Sequence, residues 1–175
     1  GNGFSLQIGD PNTIAHQTAI TTVGDFRRRD IAAGGEGAPL ASAFHHAYFS
    51  DLTQSQNRVI LNLGGIANIT WLCTDDPKGD WVTGFDCGPA NALLDAFYTK
   101  IKQGGNFDRN SQWAQQGTVN DSLLKQLINQ TDYFKQPPPK STGKELFNLQ
   151  YINTALSAIG GTITPMDIQR TLLQF

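Results

Sequence analysis

Residues 84–95, GFDCGPANALLD, read as the end of a strand, a tight turn and the start of a helix. Trp81 and Val82 carry an apolar run into Gly84, Phe85 and Asp86, Gly88 and Pro89 break it, and a helical pattern opens at Asn91. This predicts one carboxylate, Asp86, at the carboxyl end of a strand, the edge where open α/β sheets bind ligands. A second glycine-rich strand end, Asn62-Leu63-Gly64-Gly65, lies upstream. Its backbone N–H groups have no side chains in the way, which suits either a phosphate cradle or plain turn geometry. Gly88 to Asn91 would aim a helix N-terminus at the same region, a second natural anion site. Beside such positive ends Asp86 can take a proton from water or a hydroxyl, order Mg2+ through a water, or serve only as a cap. A phosphate cradle, one carboxylate and a metal are a minimal set for phosphoryl transfer, which is catalysed chiefly by positioning and charge neutralisation.

Outward from that stretch, residues 58–63 read as a strand, 64–65 as a tight turn, 66–72 as the returning strand, 75–80 as a turn and 81–85 as a third strand. A helix over 91–102 puts Leu93, Leu94, Phe97 and Ile101 on one face. Further on, 107–116 holds a short helix ended by Gly117, and Asn120 caps a helix carrying Leu123, Leu124, Leu127 and Ile128. Two more helices cover 149–159 and 165–175. The prolines at 137–139 exclude a helix interior. The following KSTGKE, 140–145, is not a phosphate loop, since Pro138 stands where GxxxxGK[ST] needs its first glycine and Glu145 replaces the hydroxyl residue. It is either a substrate or partner contact or a surface loop.

Upstream, 4–8 and 20–23 read as short strands, and Asp10 caps a helix that begins at Pro11. Residues 41–49 form a short helix with His45 and His46, and the polar stretch 51–57 marks a boundary between two units, 1–50 and 57–175. Residues 25–40, DFRRRDIAAGGEGAPL, are too charged at one end and too glycine-rich at the other for regular structure. Either the arginines pair with Asp25, Asp30 and Glu36, or Arg28 or a neighbour grips an anionic group through its guanidinium fork.

The chain of 175 residues is 39% apolar with a net charge of -2, which excludes the electrostatic footprint of a nucleic-acid or membrane-surface protein. No apolar run reaches membrane-spanning length. Cys73 and Cys87 give neither metal-ligand spacing nor a disulfide framework. The chain opens with GNGFSLQIG and ends in MDIQRTLLQF, inside a helical pattern, so both ends suggest a piece of a longer protein.

Four strings together resemble the anhydro-N-acetylmuramic acid kinase family: DFRRRDIAAGGEGAPL (25–40), NLGGIANIT (62–70), GFDCGPANALLD (84–95) and PKSTGKELFN (139–148). The resemblance covers nearly the whole chain in the right order. It implies the α/β, ribonuclease-H-like fold of the actin, Hsp70 and sugar-kinase superfamily, with two lobes and ATP in the cleft between them. Residues 1–50 would close the first lobe with a substrate loop, and 57–175 would open the second, with a helical insertion. The implied reaction belongs to bacterial peptidoglycan recycling in the cytoplasm. With ATP, Mg2+ and water, 1,6-anhydro-N-acetylmuramic acid becomes N-acetylmuramic acid 6-phosphate.

Asp86 aligns with the family's catalytic base, Arg28 with a substrate-contacting arginine, and Asn62, Gly64, Gly65 and Gly88 fall at the nucleotide phosphates. An inverting glycosidase also needs a general acid for the leaving oxygen, but here phosphorus can capture O6, so one carboxylate suffices. The helical second half offers surfaces for a homodimer. Departures from the family pattern are Glu36 in place of Gln and Ala90 in place of Gly. The family's Gly-Thr-Ser-x-Asp-Gly phosphate loop and its glycine-rich adenosine motif are not among the 175 residues, so this segment alone is expected to lack kinase activity. Two alternatives remain: a generic sugar kinase of the same superfamily, or a non-catalytic actin-like binding module.

Overall fold

A computed structural model describes residues 6–50, 56–74, 82–102 and 104–175. Its centre is a three-stranded antiparallel sheet in the order β1-β2-β3, formed by β1 (Arg58–Leu63), β2 (Ile66–Leu72) and β3 (Val82–Pro89). The chain turns straight back from β1 into β2 at Gly64 and Gly65, with register running from Arg58↔Leu72 to Leu63↔Ala67. The expected order of three strands and then a helix is present, with α4 over Asn91–Ile101. Leu93 and Phe97 of α4 point into the core, whereas Ile101 is 39% exposed.

The rest of the second half is helical. Helix α5 (Asp121–Asn129) starts where Asn120 accepts the Leu123 N–H at 2.9 Å, α6 (Leu149–Ile159) is capped by Asn148, and α7 (Pro165–Gln174) by Thr164. Their apolar stripes meet α4 in one core that includes Leu93, Leu123, Leu127, Phe147, Ile152 and Leu172. Asp167 ties the chain before α5 to α7 by accepting from the Thr118 N–H at 2.7 Å. That bond, with the hydroxyl of Thr164, holds the Asp167 carboxyl below its ordinary acidity range. No helix among the described residues is long and apolar enough to cross a membrane.

Several sequence expectations need correction. Residues 6–8 and 20–23 are not strands. Among the described residues no strand pairs with their backbone, and alternation gives no burial, with Ile8 99% and Val23 70% exposed. Phe4 and Ser5 of the first expected strand lie outside the described residues, as do the turn at 75–80 with Trp81 and residues 51–55 of the expected boundary. Residues 25–40 are not irregular throughout. Following α1 (Pro11–Thr18), α2 occupies Phe26–Ala32, since arginine is a good helix former. The glycine tail folds back on α2, because the Asp30 carboxylate accepts the Gly37 N–H at 2.7 Å. The helix expected over 107–116 is two 3₁₀ turns, Arg109–Ser111 and Ala114–Gln116. The Asp108 carboxylate takes the N–H groups of Trp113 and Ala114, both at 2.9 Å, which competes with a continuous helix.

Two further findings position the site. Helix α3 (Ser42–Phe49) packs directly on β2 and β3, through His45 Nδ1 and Thr70 Oγ1 at 2.7 Å and through Ser42 seated against Gly84. The chain before the expected boundary therefore covers one sheet face. The other face is open along β1, where Val59, Leu61 and Leu63 stand in a row with Trp71 beside Val59.

Candidate active site

Asp86 does not end its strand. The returning strand is long enough to pair past it, so β3 continues to Pro89 opposite Ile66. The sheet here is antiparallel, and the ligand edge of a parallel sheet is not what places this carboxylate. A β-bulge does part of that job. Asn68 pairs with Asp86 but the adjacent Ala67 pairs with Gly88, leaving Cys87 as the extra residue. Such a bulge bends the strand and re-aims the side chain next to it.

The segment 133–142 does the rest. It runs along the outer edge of β3 and holds Asp86 at four points. The Asp86 N–H donates to the Lys140 carbonyl at 3.1 Å, and the Tyr133 hydroxyl donates to the Asp86 carbonyl at 2.8 Å. The Ser141 hydroxyl and the Thr142 N–H both donate to Asp86 Oδ2, each at 3.0 Å. Asp86 is only 4% exposed, and a carboxylate that deep is costly unless hydrogen-bonded. Among the described residues nothing bonds its other oxygen, Oδ1. Lys140 braces the clamp: its ammonium donates to the Tyr133 carbonyl at 3.1 Å and lies over the Tyr133 and Phe85 rings. Burial, aided by the Asp86 charge, pushes the Tyr133 phenol well above its ordinary range, so it stays a donor. Burial likewise raises the Cys87 thiol, which keeps it protonated and unreactive.

The glycines divide into two kinds. A Cβ on Gly88 would lie 2.7 Å from Phe134 Cε1, and its φ is 149°. Gly88 is buried under that ring, so internal packing by itself calls for glycine here. Gly64 and Gly65 differ. Neither has a left-handed φ, and a Cβ on Gly65 would meet only Ala92 Cβ, at 3.9 Å. Nothing within the described chain requires glycine at this tip, and a ligand passing close to the backbone would. The exposed Asn62 stands beside the tip at the end of β1, facing Asn68.

The expected anion site at the start of α4 is corrected. The Gly65 carbonyl accepts the N–H groups of Ala90 at 3.0 Å and Ala92 at 2.9 Å, and the Gly64 carbonyl accepts the Asn91 N–H at 3.1 Å. The Asn91 side chain adds a donor to Gly64 at 3.0 Å. The helix start is thus bonded to the hairpin, which fixes the tip relative to β3. Ala90 sits at φ -117° and ψ -97°, so the turn does not demand a left-handed residue there.

Arg28 is not brought to Asp86 by any contact among the described residues. Its Nη1 lies 3.5 Å from Asp25 Oδ2, with both side chains more than half exposed. Arg27 donates to the Gly37 carbonyl at 2.8 Å, tying the loop to itself. A cleft of about 850 Å³ opens beside Gly65 between α4 and α6, with Asp95, Lys100 and Lys144 in its wall. Burial raises the Asp95 carboxyl and Lys144 partly offsets this. Among the described residues, no three His, Cys, Asp or Glu side chains converge as a metal cage.

The sequence left the role of 140–145 open. Ser141, Thr142 and Tyr133 are the site residues it missed, because no local pattern says which strand a loop some 50 residues away will cover. The only signal was that PKSTGKELFN was one of the strings shared with the family.

A family model described as anhydro-N-acetylmuramic acid kinase matches residues 1–175. The anhydro-N-acetylmuramic acid kinase of Coxiella burnetii (strain Dugway 5J108-111) is 53% identical over 171 residues, covering 98% of this chain and 44% of that protein. Those of Photobacterium profundum and Shewanella sediminis are 51% and 49% identical, each over 98% of this chain and 43% and 44% of their own length. The chain thus spans less than half the length of the curated relatives it matches. With matching strings, order and coverage, the chain belongs to the anhydro-N-acetylmuramic acid kinase family.

Proposed function

We propose that a family-length protein carrying this segment is an ATP-dependent kinase that opens the 1,6-anhydro bridge of anhydro-N-acetylmuramic acid and phosphorylates O6. The observation that carries this is Asp86, buried, clamped through Oδ2 and open at Oδ1, in a family whose members bear that name. Asp86 Oδ1 takes a proton from the water that attacks the anomeric carbon. The C1–O6 bond breaks, and O6 leaves toward phosphorus rather than toward an acid. ATP supplies the phosphoryl group that captures O6, with Mg2+ neutralising its charge. Gly64 and Gly65, with Asn62 beside them, give the phosphates an approach free of obstructing side chains. Mg2+ would be held by those phosphates and reached by Asp86 through water. Gly88 supports the strand from behind, under Phe134. Arg28 would bind the lactyl carboxylate of the sugar, its exposed guanidinium being tied, among the described residues, only to Asp25.

The same reading takes residues 57–175 as the start of the second ribonuclease-H-like lobe and 1–50 as the end of the first. Three antiparallel strands leading into a helix, and the uncovered apolar row Val59, Leu61 and Leu63 on β1, support it. A reaction that consumes ATP belongs in the cytoplasm. Comparing acceptors for the family-length protein tests the proposal. The anhydro sugar should exceed glucose in kcat/KM by about a hundredfold or more, since a site built for polar groups rejects a ligand lacking them. Equal use of glucose would make it a generic sugar kinase, and no turnover of any sugar would leave a binding module.

A further inference from the structure

We infer that Ser141 and the Thr142 amide are positioning groups for the base, selecting Oδ1 of Asp86 as the oxygen that takes the proton. The inference rests on the function proposed above and deepens it. Two donors converge on one oxygen of a buried carboxylate, at 3.0 Å each, and none among the described residues reaches the other. A carboxylate free to turn about its terminal bond would present either oxygen along a spread of directions. Two donors on Oδ2 fix the plane of the group and leave the Oδ1 lone pairs as the accessible base.

The clamp is rigid because its backbone is bonded to the strand it serves. Lys140 receives the Asp86 N–H, so Ser141 and Thr142 follow directly from a residue in register with the base. Tyr133 fixes the other end of the segment on the Asp86 carbonyl, and Lys140 closes it onto the Tyr133 carbonyl. The chain between these points carries Pro137, Pro138 and Pro139, whose fixed φ angles limit its freedom to swing away. Within the string KSTGKE, Lys140, Ser141 and Thr142 thus act on the residue that carries the carboxylate.

The test compares wild type, Ser141→Ala, Ser141→Thr and Asp86→Asn in the family-length protein, measuring kcat, both KM values and Tm. A hydrogen bond to a charged group is worth about one to two factors of ten. Ser141→Ala should therefore lose about tenfold to a hundredfold in kcat with both KM values nearly unchanged, and Ser141→Thr, which keeps the hydroxyl, should stay near wild type. Wild-type kcat in Ser141→Ala overturns the inference while the kinase reading stands. So does an equal loss in Ser141→Thr, which would trace to packing, or a loss seen in KM alone. A wild type that never turns over the anhydro sugar overturns the kinase reading and this inference with it.

Discussion

Asp86→Asn in a family-length protein should lower kcat by about a hundredfold to ten-thousandfold, the range expected when a positioned general base is removed. The fold should be nearly indifferent. Asn has the same shape, and its amide oxygen can accept the Ser141 hydroxyl and the Thr142 N–H in place of Oδ2. That preference also sets the orientation of the amide. With its oxygen in the clamp, its NH2 falls where Oδ1 stood, and an NH2 group there donates and cannot accept a proton. Nucleotide affinity should be close to wild type, because the hairpin tip at Gly64 and Gly65 is held by Ala90, Asn91 and Ala92 and not by the Asp86 side chain. Steady-state kinetics with a separate nucleotide-binding measurement reads both quantities. Turnover equal to wild type would remove Asp86 from the chemistry.

Gly117→Ala should be among the most destabilising single substitutions in the helical half, at about 3 kcal/mol or more. Backbone strain is not the reason. Gly117 has φ -105° and ψ 171°, which any residue adopts. Space is the reason: a Cβ there would collide with the Met166 carbonyl and lie 2.7 Å from the Asp167 nitrogen. These are backbone atoms in the first turn of α7, so no side chain can swing aside. Moving α7 would lift Ile168 and Leu172 from the core. It would also disturb the Thr118–Asp167 bond and the bond from the Asn120 N–H to Thr171 at 2.9 Å. Thermal unfolding should show Tm lower by roughly 6 to 12 °C for a chain of this size. Gly104→Ala is the control, since nothing lies within 4 Å of its added Cβ, and it should stay within about 0.5 kcal/mol. A Gly117→Ala protein as stable as that control would show that α7 gives way more easily than its contacts imply.

The hairpin, the third strand and the α-helices at 91–101, 121–129, 149–159 and 165–174 were legible because each carries a local signal. Gly64-Gly65 sits between apolar runs, Asn120 stands before a helical stripe, and Pro165 opens α7. The errors fall where side chain-to-backbone bonds or missing partners decide. Residues 20–23 have a strand's alternation but, among the described residues, no strand to pair with, and Asp108 diverts 109–116 into 3₁₀ turns. At the site, the sequence singled out Asp86 and the hairpin glycines. It gave the start of α4 to an anion, whereas the hairpin carbonyls take the N–H groups of Ala90, Asn91 and Ala92, and it did not foresee that Phe134 lies against Gly88. The bulge at Cys87 and the clamp at 140–142 are properties of strand register and of a long-range contact, which no window of sequence contains. The opposite error came at 25–40, where the glycines hid a short helix that begins at Phe26.

The most direct test of the account is to run the reaction of a family-length protein with ATP and the 1,6-anhydro sugar in ¹⁸O-labelled water and to locate the label by mass spectrometry. Water activated by Asp86 at the anomeric carbon predicts the label in the C1 hydroxyl of the product and none in the phosphate ester, with both product and label lost in Asp86→Asn. Label appearing in released phosphate while C1 stays unlabelled would contradict the account, because the water would then be attacking phosphorus and not the sugar.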